Sequence, residues 1–190
     1  MSEYSIALHA GSIADTNAIA ATVARLARAG DIIVLAGEMG AGKTAFAQGF
    51  GAALGVTDRI TSPTFTLVHS YPIENGPRAG KVTMHHADLY RLERTGEVAD
   101  LALRELAEFG GIVLIEWGDV VDVFGDHLVV RLDPHVADLD DGDLDDGDLD
   151  DDDSDVLSLD GKRDIEIGAV GGGWAGRWQS LLDGLKEYRC

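Results

Sequence analysis

Eight consecutive residues, Gly37-Glu38-Met39-Gly40-Ala41-Gly42-Lys43-Thr44, match the pattern G-x-x-x-x-G-K-[ST] over its full length. Residues of these types at this spacing do phosphate chemistry. Glycines let successive backbone amides turn inward toward anionic oxygens, and a helix starting behind them adds partial positive charge. The lysine reaches the β- and γ-phosphates, and the threonine hydroxyl is a ligand for Mg²⁺. The candidate phosphate-contacting set therefore runs from Gly37 through Thr44 to the next amide, Ala45.

A triphosphate site also needs an acid near the metal, a group that orients the attacking water and a segment that senses the γ-phosphate. Glu116 closes the apolar run Ile-Val-Leu-Ile and so stands at the carboxyl end of a buried strand, where open α/β sheets bind ligands. A carboxylate there is costly unless a cation or hydrogen bonds compensate it. Asp88 is the second acid. Strand alternation puts it on the same face as His86, just where alternation gives way to a loop. His86 is either a proton carrier or a packed, hydrogen-bonded core histidine. Ser62-Pro63-Thr64 offers two hydroxyls around a stiffened turn, suited to sensing metal or γ-phosphate. Trp117 packs near the nucleotide, at a partner surface or in the core. The six histidines show no metal-ligand spacing with the single cysteine, so no zinc site is expected.

The elements that must hold these residues follow from hydrophobic periodicity. Tyr4 to His9 alternates as a first strand, and Ser12 caps a helix with Ile19, Val23 and Leu26 on one face, ending at Gly30. Asp31 to Ala36 is a buried strand leading into the glycine loop. Phe46, Phe50 and Leu54 then repeat at helical spacing until Gly55. Thr64 to Tyr71, with Phe65, Leu67 and Tyr71 on one side, and Lys81 to Asp88 flank the turn Asn75-Gly76-Pro77 as an antiparallel hairpin. Val98, Leu101, Ala102, Leu106 and Phe109 share a helical face, Ile112 to Ile115 is a second buried strand, and His127 to Leu132 and Asp164 to Val170 are later strands. A closing helix carries Trp174, Trp178, Leu181, Leu182 and Leu185. Strands alternating with helices predict a three-layer α/β fold of the P-loop NTPase type, its sheet mixed but mostly parallel.

Length predicts one domain over residues 1–190. The net charge of −19 is concentrated: Asp138 to Asp155 hold twelve aspartates and no cation, leaving −7 for the rest. With D-L-D-D-G repeated and almost nothing to bury, residues 136–160 read as a disordered acidic insertion. Asp141-x-Asp143-x-Asp145 resembles the start of a calcium loop, but Gly147 falls one position late and no glutamate closes it. The remaining charge offers no basic stripe for a nucleic-acid backbone. The one cysteine, Cys190, permits no internal disulfide. The N-terminus lacks a signal-peptide pattern and no apolar run is long enough for a bilayer, so a cytoplasmic protein without membrane attachment is expected.

The segments GEMGAGKT, SPTFTLVHSY, HADLYRL and IEWGD, in this order and spacing, resemble the bacterial TsaE (YjeE) ATPases over about residues 4 to 135. Ser12 to Thr16 resembles that family's adenine-side motif, which implies that Ser12 and Thr16 contact the nucleotide. The resemblance implies a protein that binds and hydrolyses ATP with Mg²⁺ and supports the threonylcarbamoyl transferase complex of TsaD and TsaB. That complex modifies the adenosine next to the anticodon of tRNAs reading ANN codons, and this chain would meet tRNA only indirectly. It further implies that Lys43 and Thr44 hold phosphate and Mg²⁺, that Asp88 and Glu116 are the acidic pair for metal and hydrolysis, and that Ser62 and Thr64 belong to a switch-like loop. The chain departs from the family pattern at Gly118-Asp119, where relatives often carry proline, and in the acidic insertion. A GTPase is disfavoured because neither Asn17 nor Asn75 precedes a lysine, as N-K-x-D requires. A small P-loop kinase and a non-catalytic ATP-gated adaptor remain open as alternatives. Deletion of residues 138–155 is expected to leave the melting temperature within about 3 °C of the parent chain, measured by circular dichroism.

Overall fold

The computed structural model describes residues 4–63, 65–90, 102–117, 124–135 and 161–190. In chain order the elements are β1 (Tyr4–Ala10), α1 (Ile13–Leu26), β2 (Ile32–Ala36), α2 (Lys43–Leu54), β3 (Val68–Pro72), β4 (Thr83–Asp88), α3 (Leu103–Glu108), β5 (Ile112–Glu116), β6 (His127–Pro134), β7 (Arg163–Val170) and α4 (Trp178–Gly184). The strands form one seven-stranded sheet in the order β1-β7-β6-β2-β5-β4-β3. β2 pairs in parallel with both β5 and β6, and β4 pairs in parallel with β5. The β3–β4 hairpin and the β6–β7 and β7–β1 pairs are antiparallel. Five strands thus share one direction, with β3 and β7 reversed. This is the expected P-loop NTPase-like α/β architecture.

The continuous apolar runs become the central strands β2 and β5, every residue of which is buried. Parallel strands covered on both faces require that pattern. On one face α1, α2 and α4 bury a large cluster that includes Leu8, Ile19, Ile33, Phe46, Phe50, Leu114, Ile167 and Leu181. Phe46 and Phe50 are fully buried, each contributing roughly 1.5–3 kcal/mol of transfer free energy. On the other face Val34, Leu89, Leu103, Val113 and Phe124 form a smaller cluster under α3. The closing segment is anchored by Arg177, which donates both terminal nitrogens to Asp31 at 2.5 and 2.9 Å and lies 4.0 Å over the Trp174 ring. No helix among the described residues is long and apolar enough to cross a membrane.

Several boundaries differ from expectation. Ser12 caps α1 as expected, its hydroxyl accepting from the Asp15 amide at 3.1 Å. The helix stops at Leu26, because Ala27 turns extended, and Gly30 instead sits in the following turn with φ 95°. The second helix starts at Lys43, two residues earlier than periodicity indicates. The strand expected from Thr64 does not begin until Val68. Pro63 carbonyl accepts from the Thr66 and Leu67 amides, closing a turn, and Leu67 takes φ 65°, which no strand tolerates. Phe65 is accordingly 84% exposed, and the apparent alternation came from residues of a loop. Phe109 follows the last turn of α3 and is 90% exposed rather than on its apolar face, which carries Leu103 and Ala107. The closing helix is shorter than expected: Trp174 precedes a single 3₁₀ turn, and the α-helix starts at Trp178. Val98, Leu101, Thr64, Gly118, Asp119 and the acidic insertion lie outside the described residues.

His85, facing away from His86, is 9% exposed and shares a 2.8 Å hydrogen bond with Ser70 Oγ. Burial holds its imidazole below the ordinary histidine pKa. Its contribution is therefore complete above the unfolded value of about 6.5 and is lost as pH falls through the lower folded value. The urea midpoint is expected to drop between about pH 7.5 and 5.5, and to drop less in His85→Gln, where no proton can be taken up.

Candidate functional site

The carboxyl ends of β2, β5 and β4 lie side by side, and the chain leaves β2 directly into the glycine loop. Gly37 takes φ 130°, and a Cβ there would stand 2.1 Å from the Leu132 carbonyl oxygen of β6. Only glycine lets the loop leave the sheet at this point. Gly42, at φ 104°, is the N-cap of α2 and supplies no side-chain cap, so the first amides of the helix face the loop interior. A concave loop of amides on a helix N-terminus is an anion cradle.

Beside it is a pocket of about 480 Å³ lined by Met39, Gly40, Gly42, Lys43, Thr44, Ala45, Ser62, Phe65, Asp88, Tyr90, Glu116 and Trp117. Of the residues expected from sequence, the loop, Ser62 and both acids meet here. Gly37, Glu38 and Ala41 shape the loop without lining the pocket; Glu38 contributes its carbonyl, and its side chain is exposed. Ser12 and Thr16 do not line it. Ser12 Oγ donates to Asp15 Oδ2 at 2.9 Å and Thr16 Oγ1 to the Ser12 carbonyl at 3.3 Å, so their described partners belong to the start of α1. Thr64 lies outside the described residues.

Three elements converge on one carboxylate. Glu116 Oε1 accepts from Thr44 Oγ1 at 3.2 Å and shares a 2.9 Å hydrogen bond with His86 Nε2. Glu116 is 3% exposed and His86 fully buried. With Nε2 donating, His86 keeps its Nδ1 without a partner among the described residues. His86 is thus packed and hydrogen-bonded, the second of its two readings, and its Nε2 orients a site carboxylate. Asp88 stands opposite Glu116 in the parallel β4–β5 register. Its Oδ2 accepts from Ser62 Oγ at 3.0 Å and its Oδ1 from the Tyr90 amide at 2.9 Å. Two buried acids are thus held by four donors, from Thr44, Ser62, His86 and Tyr90, which offsets the cost of keeping them out of water.

Lys43 is 5% exposed and donates to the carbonyls of Gly37 at 2.7 Å and Glu38 at 2.8 Å. Its ammonium also lies 3.8 Å from the centroid of Trp117. Trp117 reaches that place because its backbone adopts φ 62°, an unfavourable conformation for an aromatic residue, with its amide donating to the Leu35 carbonyl at 3.0 Å. Such a φ costs of order 1–3 kcal/mol and is retained where surrounding contacts over-determine it. Tyr90 packs against the same indole at 5.0 Å between centroids, the two rings tilted by 49°.

Sequence reasoning missed Arg163. From the first position of β7, its Nε donates to the Ala41 carbonyl at 2.8 Å and its Nη2 approaches the Gly40 carbonyl at 3.4 Å, bracing the glycine loop from below. A signal was present: Arg163 is in phase with the buried Ile165 and Ile167 on an alternating strand, where a charge needs a reason. Arg163→Met is expected to destabilise the fold by about 1.5–3 kcal/mol and to speed amide exchange in residues 40–42, read by urea melts and hydrogen exchange.

A family model described as "Threonylcarbamoyl adenosine biosynthesis protein TsaE" matches residues 10–138. The protein of that biosynthesis from Bacillus subtilis (strain 168), TsaE, is 39% identical over 108 residues, covering 57% of this chain and 63% of the relative. The TsaE of Streptomyces coelicolor is 38% identical over 123 residues, 63% of this chain and 79% of the relative. The chain thus spans somewhat under two thirds of the Bacillus protein and more of the Streptomyces one. The crystal structure of Bacillus subtilis YdiB superposes with a TM-score of 0.64 at 26% identity, covering 97% of this chain and 95% of that one. The matched segment contains the glycine loop, Ser62, His86, Asp88 and Glu116. The chain belongs to the TsaE family of threonylcarbamoyl adenosine biosynthesis proteins.

Proposed function

We propose that this chain is an ATPase of the tRNA threonylcarbamoyladenosine pathway, which binds ATP in the glycine-loop pocket and hydrolyses it in support of the TsaD–TsaB transferase. The reading is carried by one observation: the Thr44 hydroxyl of the loop is hydrogen-bonded to Glu116, beside Asp88 in register. Acids at that position serve the phosphate end of a nucleotide. The body of the protein is mildly acidic once the aspartate run is set aside, which agrees with a helper that meets tRNA through its partners.

The donor set also fits Mg²⁺. A hydroxyl and two carboxylates are hard oxygen ligands, and the loop beside them is kept open by a glycine whose Cβ would strike Leu132. Thr44, with Glu116 and Asp88, would hold the ion, whose charge would offset that of the β- and γ-phosphates. The amides of residues 40–45 and the α2 N-terminus bind the polyphosphate. Lys43 exchanges the Gly37 and Glu38 carbonyls for β- and γ-oxygens, and the Trp117 face keeps the ammonium aimed. Glu116, hydrogen-bonded to His86, would align a water and accept its proton, while Ser62, hydrogen-bonded to Asp88, would couple the turn at Pro63 to the occupancy of the pocket.

Lys43→Ala is expected to weaken ATP binding by about 10- to 100-fold, measured by calorimetry. Glu116→Gln is expected to bind ATP within a few-fold of the parent but to hydrolyse it about 10²- to 10⁴-fold more slowly. The deciding measurement is phosphate release with and without TsaD and TsaB, alongside tRNA modification. Release without any added acceptor excludes the kinase reading. Turnover that no partner stimulates favours an ATP-gated adaptor, and unchanged ATP affinity in Lys43→Ala overturns the site.

A further inference from the structure

On the sheet face opposite α1, α2 and α4, at the end of β1, β7 and β6, three metal-capable side chains meet. His9 Nδ1 lies 3.0 Å from Asp164 Oδ1, and His135 Nδ1 lies 2.8 Å from Asp164 Oδ2. The three ligand atoms lie within 4.8 Å of one another, and the two imidazoles pack edge to face at 4.6 Å. A tetrahedral or octahedral ion with bonds of about 2.0–2.1 Å separates neighbouring ligand atoms by about 2.8–3.4 Å, so the two nitrogen–oxygen spacings already fit and only the wider separations would have to close. We propose that His9, His135 and Asp164 form a binding site for a divalent transition ion of the zinc type.

Four features carry this beyond an ordinary surface ion pair. Both rings present the same nitrogen, Nδ1, to one carboxylate, His9 to Oδ1 and His135 to Oδ2, so the lone pairs that remain after proton loss both face Asp164. The backbone positions are set by a paired sheet, with His9 directly opposite Asp164 in the β1–β7 register, so little ordering is needed on binding. Asp133 stands opposite Asp164 in the β6–β7 register, placing two like charges across from each other, an arrangement a bound cation would relieve. The side chains are partly exposed, at 39%, 34% and 50% for His9, His135 and Asp164, which leaves room for water to complete the coordination. Two imidazoles and one carboxylate favour zinc, nickel or copper over calcium and magnesium. The site is therefore chemically distinct from the twelve aspartates of residues 138–155 and from the hydroxyl–carboxylate set beside Lys43. His9 and Asp164 also fall outside the matched family segment. An ion here would clip β1 to β7 and to the end of β6, one residue from the Arg163 brace under the glycine loop.

The test is zinc titration by calorimetry on the full, untagged, chelator-stripped chain, with Mg²⁺ and Ca²⁺ in excess to occupy the other oxygen sites. Expected are one equivalent of Zn²⁺ bound, affinity lowered at least ~10-fold in His9→Gln and in His135→Gln, and a zinc-dependent rise in melting temperature that both variants lose. Asp164→Asn provides a third variant should either histidine change impair folding. Zinc binding that survives all three substitutions, that excess Ca²⁺ abolishes, or that does not occur in the parent chain would overturn the proposal.

Discussion

A buried carboxylate has to be paid for by donors, and Glu116 obtains them only if β4 and β5 are in register and α2 starts beside them. Thr44 comes from the start of α2 and His86 from β4, and both reach one oxygen of a residue on β5. A one-residue slip of β4 against β5 would turn His86 and Asp88 to the opposite face and leave Glu116 stranded in a region from which water is excluded. The polar chain therefore does two things. It satisfies the acid, and it ties the phosphate loop, the central strand and the hairpin strand into one unit.

The antiparallel half of the sheet has its own part in the site. β6 sets the Leu132 carbonyl against Gly37, so no side chain fits at the mouth of the loop. β7 sends Arg163 up to the carbonyls of Ala41 and Gly40, so the outward-facing side of the loop is also satisfied. Between these supports Lys43 rests on two loop carbonyls and on an indole whose own backbone is strained. The loop is thus held open by contacts its amides do not use, which leaves those amides for an anion.

The same asymmetry shapes the surface. The centre of the sheet is covered on both faces, whereas toward β1 the face away from α1 and α2 carries exposed Ser5, Ala7, Asp133 and Glu166 among the described residues. Around the pocket mouth Met39 is 70%, Phe65 84% and Tyr90 50% exposed. Apolar side chains beside a polar pocket keep its edge poorly hydrated, which strengthens electrostatic contacts within it.

What could be read from the chain was whatever is encoded within one element or one turn. The runs at Ile32 and Ile112, the glycine loop, the Ser12 cap and the Phe46–Phe50–Leu54 repeat announce themselves because backbone geometry repeats every two or 3.6 residues. Glu116 and Asp88 were legible as acids at strand ends for the same reason. Local alternation misled at Phe65 and Leu67, where a proline turn and a left-handed residue override it. The union of Thr44, His86 and Glu116, the Arg163 brace and the meeting of His9, His135 and Asp164 depended on strand order. Those contacts join residues 29 to 155 positions apart, and no periodicity records which strand will lie beside which. That choice is made by side-chain packing between elements, and it appears only when the sheet is assembled.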